Sequence, residues 1–148
     1  MSKSDELKKL YDKIELDSTE ERKLLSKVKN GSASEQELND LIDIVGAKKD
    51  GGKVLDDIKD FEKALVTDIN IQIDALEEME NESNEVAHCE DESEKNRKYA
   101  DMKRRYKRHV KKAEEILEAI KRAYFQIGNF DQFENRLYDI KETLAHLE

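Results

Sequence analysis

The fold is decided by residues 54–127, in which a polar run separates two apolar patterns. The first pattern lies in residues 54–76, VLDDIKDFEKALVTDINIQIDAL, and the second lies in residues 99–127, YADMKRRYKRHVKKAEEILEAIKRAYFQI. In both stretches the apolar residues recur every three or four positions, which is the spacing of one face of an α-helix. The pattern therefore predicts two long helices, each with one apolar stripe.

The composition predicts an all-α protein with a thin core, that is, an elongated helical bundle. Of 148 residues, 43% are charged and 36% are hydrophobic, and the chain has no Trp or Pro. Burying an apolar side chain contributes about 1.5–3 kcal/mol, whereas ordering one residue costs about 1–2 kcal/mol in backbone entropy. Because two helices packed along one stripe are marginal alone, we expect further helices or further subunits to cover them.

Three short helices are predicted before the long pair, in residues 1–46, followed by a flexible hinge in residues 47–53. The hinge contains two adjacent glycines and no large apolar residue. The short helices carry start signals of the capping-box type and glycine stop signals. These signals are Ser18 with Glu21, Gly31, Ser34 with Glu37, and Gly46.

Charge favours an antiparallel hairpin over residues 54–127, although one continuous helix stays an alternative. Residues 64–94 contain many acids and no Lys or Arg, whereas residues 95–112 contain ten basic residues and one acid, Asp101. Folding the chain back within residues 87–94 places the acidic stretch beside the basic stretch. Single exposed pairs contribute only about 0–1 kcal/mol, but the set disfavours other registers.

A C-terminal amphipathic helix is predicted over residues 129–148, next to a cluster of aromatic residues. Because Tyr124 and Phe125 are adjacent, they leave a helix in different directions and cannot share one narrow stripe. This arrangement predicts a surface that is buried by another chain. The predicted partner-binding residues are Tyr124, Phe125, Phe130, Phe133, Leu137, Ile140, Leu144 and Leu147.

A basic face on the second long helix is the strongest local signal. Its members are Arg97, Lys98, Arg104, Arg105, Lys107, Arg108, Lys111 and Lys112. We favour the interpretation that the acidic stretch neutralises this face. The alternative is that the face follows a phosphate backbone, with Tyr99 and Tyr106 offering stacking surface.

The chain contains no motif that predicts an enzyme, a metal site or a cofactor. Glu85 and His88 have the spacing of half a di-iron site, but that chemistry requires the pair twice. His109 lies in the apolar stripe and has no neighbour with the spacing of a catalytic dyad. Cys89 lies among acids, which disfavour a reactive thiolate. We therefore expect no catalytic residue.

Charge and cysteine content predict a soluble cytoplasmic protein that does not bind membranes. The net charge is −9, there is one cysteine, and no stretch approaches the roughly 20 apolar residues of a membrane span. The polar start of the chain also lacks the apolar core of a signal peptide. A single cysteine fits a reducing compartment.

The run from Ile116 to Ile127, ILEAIKRAYFQI, resembles the closing helix of phage recombination mediator proteins. Those proteins are helical oligomers that bind single-stranded DNA, so the resemblance implies the same activity. The run covers under a tenth of the chain, and Ala123 stands where that pattern has a basic residue. The resemblance adds only slightly to the nucleic-acid alternative.

Together these features favour a non-enzymatic helical scaffold, adaptor or chaperone. We expect it to act by burying helices against a protein partner or against further copies of itself, as a homo-oligomer. The alternative is a nucleic-acid-binding helical oligomer that uses the basic face.

Overall fold

The computed structural model describes residues 2–121 and 130–148, and it confirms the all-α prediction. The described residues form six α-helices and one short 3-10 helix, without a strand. Tyr124 and Phe125 of the predicted partner surface lie outside the described residues, as does the side chain of Phe130. The elements are α1 (Lys3–Asp12), α2 (Thr19–Lys29), α3 (Glu35–Gly46), α4 (Gly51–Ala87), α5 (Glu92–Lys121), α6 (Phe130–Thr143) and the 3-10 helix (Ala145–Leu147).

The start signal of α3 forms a complete capping box. The Ser34 hydroxyl accepts a hydrogen bond from the Glu37 amide at 3.2 Å, and the Glu37 carboxylate accepts one from the Ser34 amide at 3.2 Å. At α2 the Ser18 hydroxyl caps the Glu21 amide, but the Glu21 carboxylate accepts from the amide of Asp17. Both serines therefore cap their helices, and only the second cap is fully reciprocal.

Gly31 ends α2 in a left-handed conformation. Its φ is +78°, a region that glycine adopts without steric cost. The amide of Ser32 donates to the Lys27 carbonyl at 2.9 Å, and the Gly31 amide donates to the Val28 carbonyl at 3.2 Å. These two bonds satisfy carbonyls that the end of the helix would otherwise leave without donors.

The predicted hinge is shorter than residues 47–53, because α4 begins at Gly51. Gly51 is buried, and a Cβ atom there would overlap the backbone carbonyl of Val45. The left-handed residue of this turn is Asp50, with a φ of 62°. Gly51 is therefore required for a close approach of two backbone segments, and residues 51–53 are helical.

The long helices form the predicted hairpin, which excludes one continuous helix over residues 54–127. Residues 88–91 separate α4 from α5. α4 contains 37 residues, which is about 55 Å at the α-helical rise.

The chain divides into two compact units. Of the described residues, the first unit contains 2–67 and 118–121, and the second contains 68–117 and 130–148. The core of the first unit is formed by apolar residues of α1, α2, α3 and α4. Its most deeply buried members are Leu7, Tyr11, Leu41, Val45, Ile58 and Leu65.

The second unit is a three-helix bundle. His109 on α5 bonds Gln72 on α4 at 2.7 Å, and Arg105 pairs with Glu82 at 2.6 Å, so these helices are antiparallel. Towards the chain end, the side chain of Lys141 on α6 pairs with Glu114 of α5 at 2.9 Å. The hydroxyl of Tyr106 on α5 meets the last residue, Glu148, at 3.3 Å, so the C-terminal segment is antiparallel to α5 and parallel to α4.

Candidate functional site

The described part of the predicted partner surface lies inside the second unit. Its five apolar residues are at most 7% exposed, and two of them are fully buried. We call this set the C-terminal stripe: Phe133, Leu137, Ile140, Leu144 and Leu147. Ion pairs of Arg136 with Glu77 and of Lys141 with Glu114 link α6 to α4 and α5. The stripe is therefore buried within its own chain and offers no exposed docking surface in this structure.

The basic face lies on α5 within the second unit. Seven of its eight cations are exposed, and Arg105 is the half-buried exception. The exposed members are Arg97, Lys98, Arg104, Lys107, Arg108, Lys111 and Lys112. A single half-buried cation therefore accounts for the contact between this face and α4.

Arg105 holds α5 against α4. Its two terminal nitrogens donate to the two carboxylate oxygens of Glu82 at 3.0 and 2.6 Å, and its Nε donates to Asp101 at 3.0 Å. These hydrogen bonds, chiefly the pair to Glu82, raise the pKa of the guanidinium. A bidentate ion pair of this kind fixes the position of α5 relative to α4 and also neutralises the charge, so Arg105 is a structural residue of the hairpin.

The acidic stretch neutralises the basic face only in part. Lys98 pairs with Glu94 one turn away at 3.3 Å, and Arg104 lies 3.9 Å from Asp101 while its side chain stays 80% exposed. The remaining exposed cations make no ion pair within 4 Å with any residue that the structure describes. These are Arg97, Lys107, Arg108, Lys111 and Lys112.

Four cations of this face share one line on α5, which we call the cation line. Arg97, Arg104, Arg108 and Lys111 are separated by seven, four and three residues. Because seven, four and three residues are close to whole helical turns, their side chains project in nearly the same direction. The line is about 21 Å long at the α-helical rise. It provides a narrow row of positive charge that faces solvent.

The tyrosines predicted to stack on bases are occupied within the bundle. Tyr106 is 2% exposed. Burial, reinforced by Glu148, raises the pKa of Tyr106 to about 12. Tyr99 is half-buried and meets the ring of His146 edge-on, with 5.9 Å between ring centroids. The stacking part of the nucleic-acid prediction therefore has no support here, and contact would be through phosphates.

His109 adds little positive charge to the face at neutral pH. Its Nδ1 lies 2.7 Å from the Gln72 side-chain oxygen, which accepts the bond. Burial, and then the nearby cations Arg108, Lys112 and Arg105, lower the pKa of His109 below its ordinary value of 6.5. The imidazole is therefore a neutral helix-to-helix contact, as its position in the stripe predicts.

The described residues add no further ligands to the candidate metal site at Glu85 and His88. Both side chains are exposed, and His88 Nδ1 lies 2.7 Å from the carbonyl of Asn84 in the last turn of α4. Within residues 2–121 and 130–148, no group of three or more His, Cys, Asp or Glu could hold a metal ion.

One polar cluster of the second unit has no signal in the sequence. The buried Ser83 hydroxyl lies 2.8 Å from Nε2 of His146, and His146 also meets Tyr99. The cluster joins the 3-10 helix to both long helices. No local spacing could reveal it, because Ser83 and His146 are 63 residues apart.

Comparisons with known proteins supply no relative. No protein family matches the chain, and neither curated proteins nor solved structures give a match. Of the described helices, none is long and apolar enough to cross a membrane.

Proposed function

We propose that the protein is a non-enzymatic helical binding module that holds a nucleic-acid backbone along the cation line of α5. One observation supports this choice over the others: the line is exposed, and the acidic stretch of the same chain leaves it largely unpaired. The chain as a whole has a net charge of −9, so this row is a local concentration of positive charge on an acidic protein. A cytoplasmic location is part of the proposal.

The chemistry of the line suits phosphates. Three of its four members are arginines. The planar guanidinium presents paired donors that match a phosphate, whereas an ammonium acts as a point charge. Because the neighbouring tyrosines are occupied, binding would read the backbone and not the bases, and it would tolerate any sequence.

The salt dependence of binding provides a quantitative test. If the four cations neutralise four phosphates, the logarithm of the association constant should fall with the logarithm of salt concentration. The slope should be about −2.8 for a single strand and about −3.6 for a duplex. The measurement is fluorescence anisotropy of a labelled oligonucleotide titrated with the protein at several KCl concentrations. A random-sequence single strand and its duplex would be compared.

Two variants with equal net charge distinguish an effect of the cation line on binding from an effect of overall charge. In the first, the four cations of the line become glutamine: Arg97→Gln, Arg104→Gln, Arg108→Gln and Lys111→Gln. In the control, four exposed lysines of the first unit become glutamine: Lys8→Gln, Lys9→Gln, Lys49→Gln and Lys53→Gln. We expect the first variant to lose binding and the control to keep it with an unchanged slope.

Two results would refute the proposal. One is the absence of binding by the unaltered protein even at low salt. The other is equal loss of affinity in both variants, because that result would show a general charge effect and not a specific line. Far-ultraviolet circular dichroism of each variant checks that the helices are retained.

The oligomeric scaffold, adaptor or chaperone predicted from the sequence is the second candidate. The buried C-terminal stripe no longer supports it, because a partner could reach that stripe only if α6 left the bundle. A different observation favours it: α4 carries an exposed row of acids whose spacing matches that of the cation line. In a scaffold of this kind, further copies of the chain or other proteins would bind through charged helix faces.

A further inference from the structure

An acidic line runs along the exposed side of α4 in the second unit. It consists of Asp74, Glu78 and Glu85, which are exposed and separated by four and seven residues. As on α5, these separations place the side chains in nearly one direction. None of the three side chains has an ion pair with another described residue. The second unit therefore presents two exposed lines of opposite charge, and of their members Arg104 alone has an ion pair with a described residue, the 3.9 Å contact to Asp101.

The spacing of the acidic line is the reverse of the spacing of the cation line. From Glu85 backwards the steps are seven and four residues, and from Arg97 forwards they are also seven and four. If the two helices met in antiparallel orientation, all three acids would face cations. The pairs would be Glu85 with Arg97, Glu78 with Arg104, and Asp74 with Arg108. A parallel orientation aligns at most two pairs at once.

Within one chain these residues do not pair, although they lie at similar levels along the hairpin. The Gln72–His109 hydrogen bond marks the level at which α4 and α5 meet. Asp74 follows Gln72 by two residues and Arg108 precedes His109 by one. Their side chains face solvent, so each line lacks its complement within the chain.

We propose that copies of this chain associate through the two lines, with α4 of one copy antiparallel to α5 of the next. The occupant is a second copy because the same chain presents both complementary lines in matching register. In each contact one copy uses its acidic line and the other uses its cation line, so each copy keeps its remaining line free. The contact is therefore heterologous and extends into a ring or an open row. Exposed ion pairs are individually weak and screened by salt, so the assembly is reversible.

Sedimentation velocity tests the association at stepwise increasing protein concentration. At low salt the mass should rise above 17.3 kDa with concentration, and it should return to 17.3 kDa when salt is added. The Debye length falls from about 30 Å at 0.01 M to about 8 Å at 0.15 M, which sets the range of salt to use. A protein that stays at 17.3 kDa at every concentration in low salt would refute the proposal.

Charge reversal tests the register. One variant carries Asp74→Lys, Glu78→Lys and Glu85→Lys, and the other carries Arg97→Glu, Arg104→Glu and Arg108→Glu. Each variant alone should be monomeric, because its two lines have the same sign. An equimolar mixture should associate again, because each line then meets its complement on the other variant. If the mixture stayed monomeric although both variants retained their helical circular dichroism, the pairing of these lines would be wrong.

Oligonucleotide binding separates this inference from the proposed function. Nucleic acid would occupy the cation line, so adding an oligonucleotide should dissociate the assembly. The Asp74→Lys, Glu78→Lys, Glu85→Lys variant keeps the cation line and should bind the oligonucleotide at least as tightly as the unaltered protein. Association without oligonucleotide binding would refute only the proposed function. Oligonucleotide binding by a strictly monomeric protein would refute only the self-association.

Discussion

Replacing Leu144 by alanine tests whether the C-terminal stripe is an intrachain core. Leu144 is fully buried in the second unit. Truncating a fully buried leucine removes its transfer free energy and leaves a cavity, which together cost about 2–5 kcal/mol. At about 2–4 °C per kcal/mol for a chain of this size, a loss of about 3 kcal/mol lowers the melting temperature by about 6–12 °C.

The assay is urea unfolding followed by circular dichroism at several protein concentrations. It should be run in about 1 M NaCl, where the Debye length of about 3 Å suppresses association through charged surfaces. If the stripe packs within its own chain, the midpoint is independent of protein concentration in both proteins. The Leu144→Ala protein then unfolds at lower urea by the same amount throughout.

Tyr138 provides the matched control, because it lies on α6 and is 63% exposed. Tyr138→Ala should stay within about 0.5 kcal/mol of the unaltered protein. An intrachain core would be refuted if the unfolding midpoint rose with protein concentration and Leu144→Ala abolished that rise. Mass action would then show that the stripe is covered by another copy, as the sequence pattern first suggested.

Four further substitutions test local features of the fold. Gly51→Ala should destabilise the protein by about 1–3 kcal/mol, because its Cβ would overlap the Val45 carbonyl. Gly52→Ala, which meets no atom within 4 Å, should stabilise it by about 0.5–1 kcal/mol in the same urea titrations. Ser34→Ala removes the N-terminal cap of α3 and should lower the free energy of unfolding by about 1 kcal/mol. The same urea titration measures this loss. The pKa of His109 is lowered in the folded chain, so the unfolded chain takes up that proton first and stability should fall as pH decreases below about 6.5. His109→Gln should remove this part of the pH dependence of thermal melts above about pH 5, where most carboxylates remain ionised.

Features governed by neighbouring residues were predictable from the sequence. The bond between Ser34 and Glu37 spans three residues, and the Gly31 stop spans one turn, so local spacing contains the whole interaction. The hairpin was also predictable, because one polar run separates two apolar patterns and the charge changes sign across it. The prediction that the acidic stretch neutralises the basic face was only partly right. Arg105 pairs with Glu82, whereas Arg97, Arg108 and Lys111 remain exposed.

The sequence by itself determined that this chain is helical, where most helices start, and which residues of each helix are apolar, because these properties depend on contacts within a few turns. Only the tertiary structure decided what covers the C-terminal stripe, since an apolar row packs equally well against its own chain or another. It also decided that Gly51 serves close packing, that Ser83 meets His146, and that two charged lines face solvent in matching register. Those outcomes depend on how each helix is rotated about its axis in the bundle, which residue spacing along one helix does not determine.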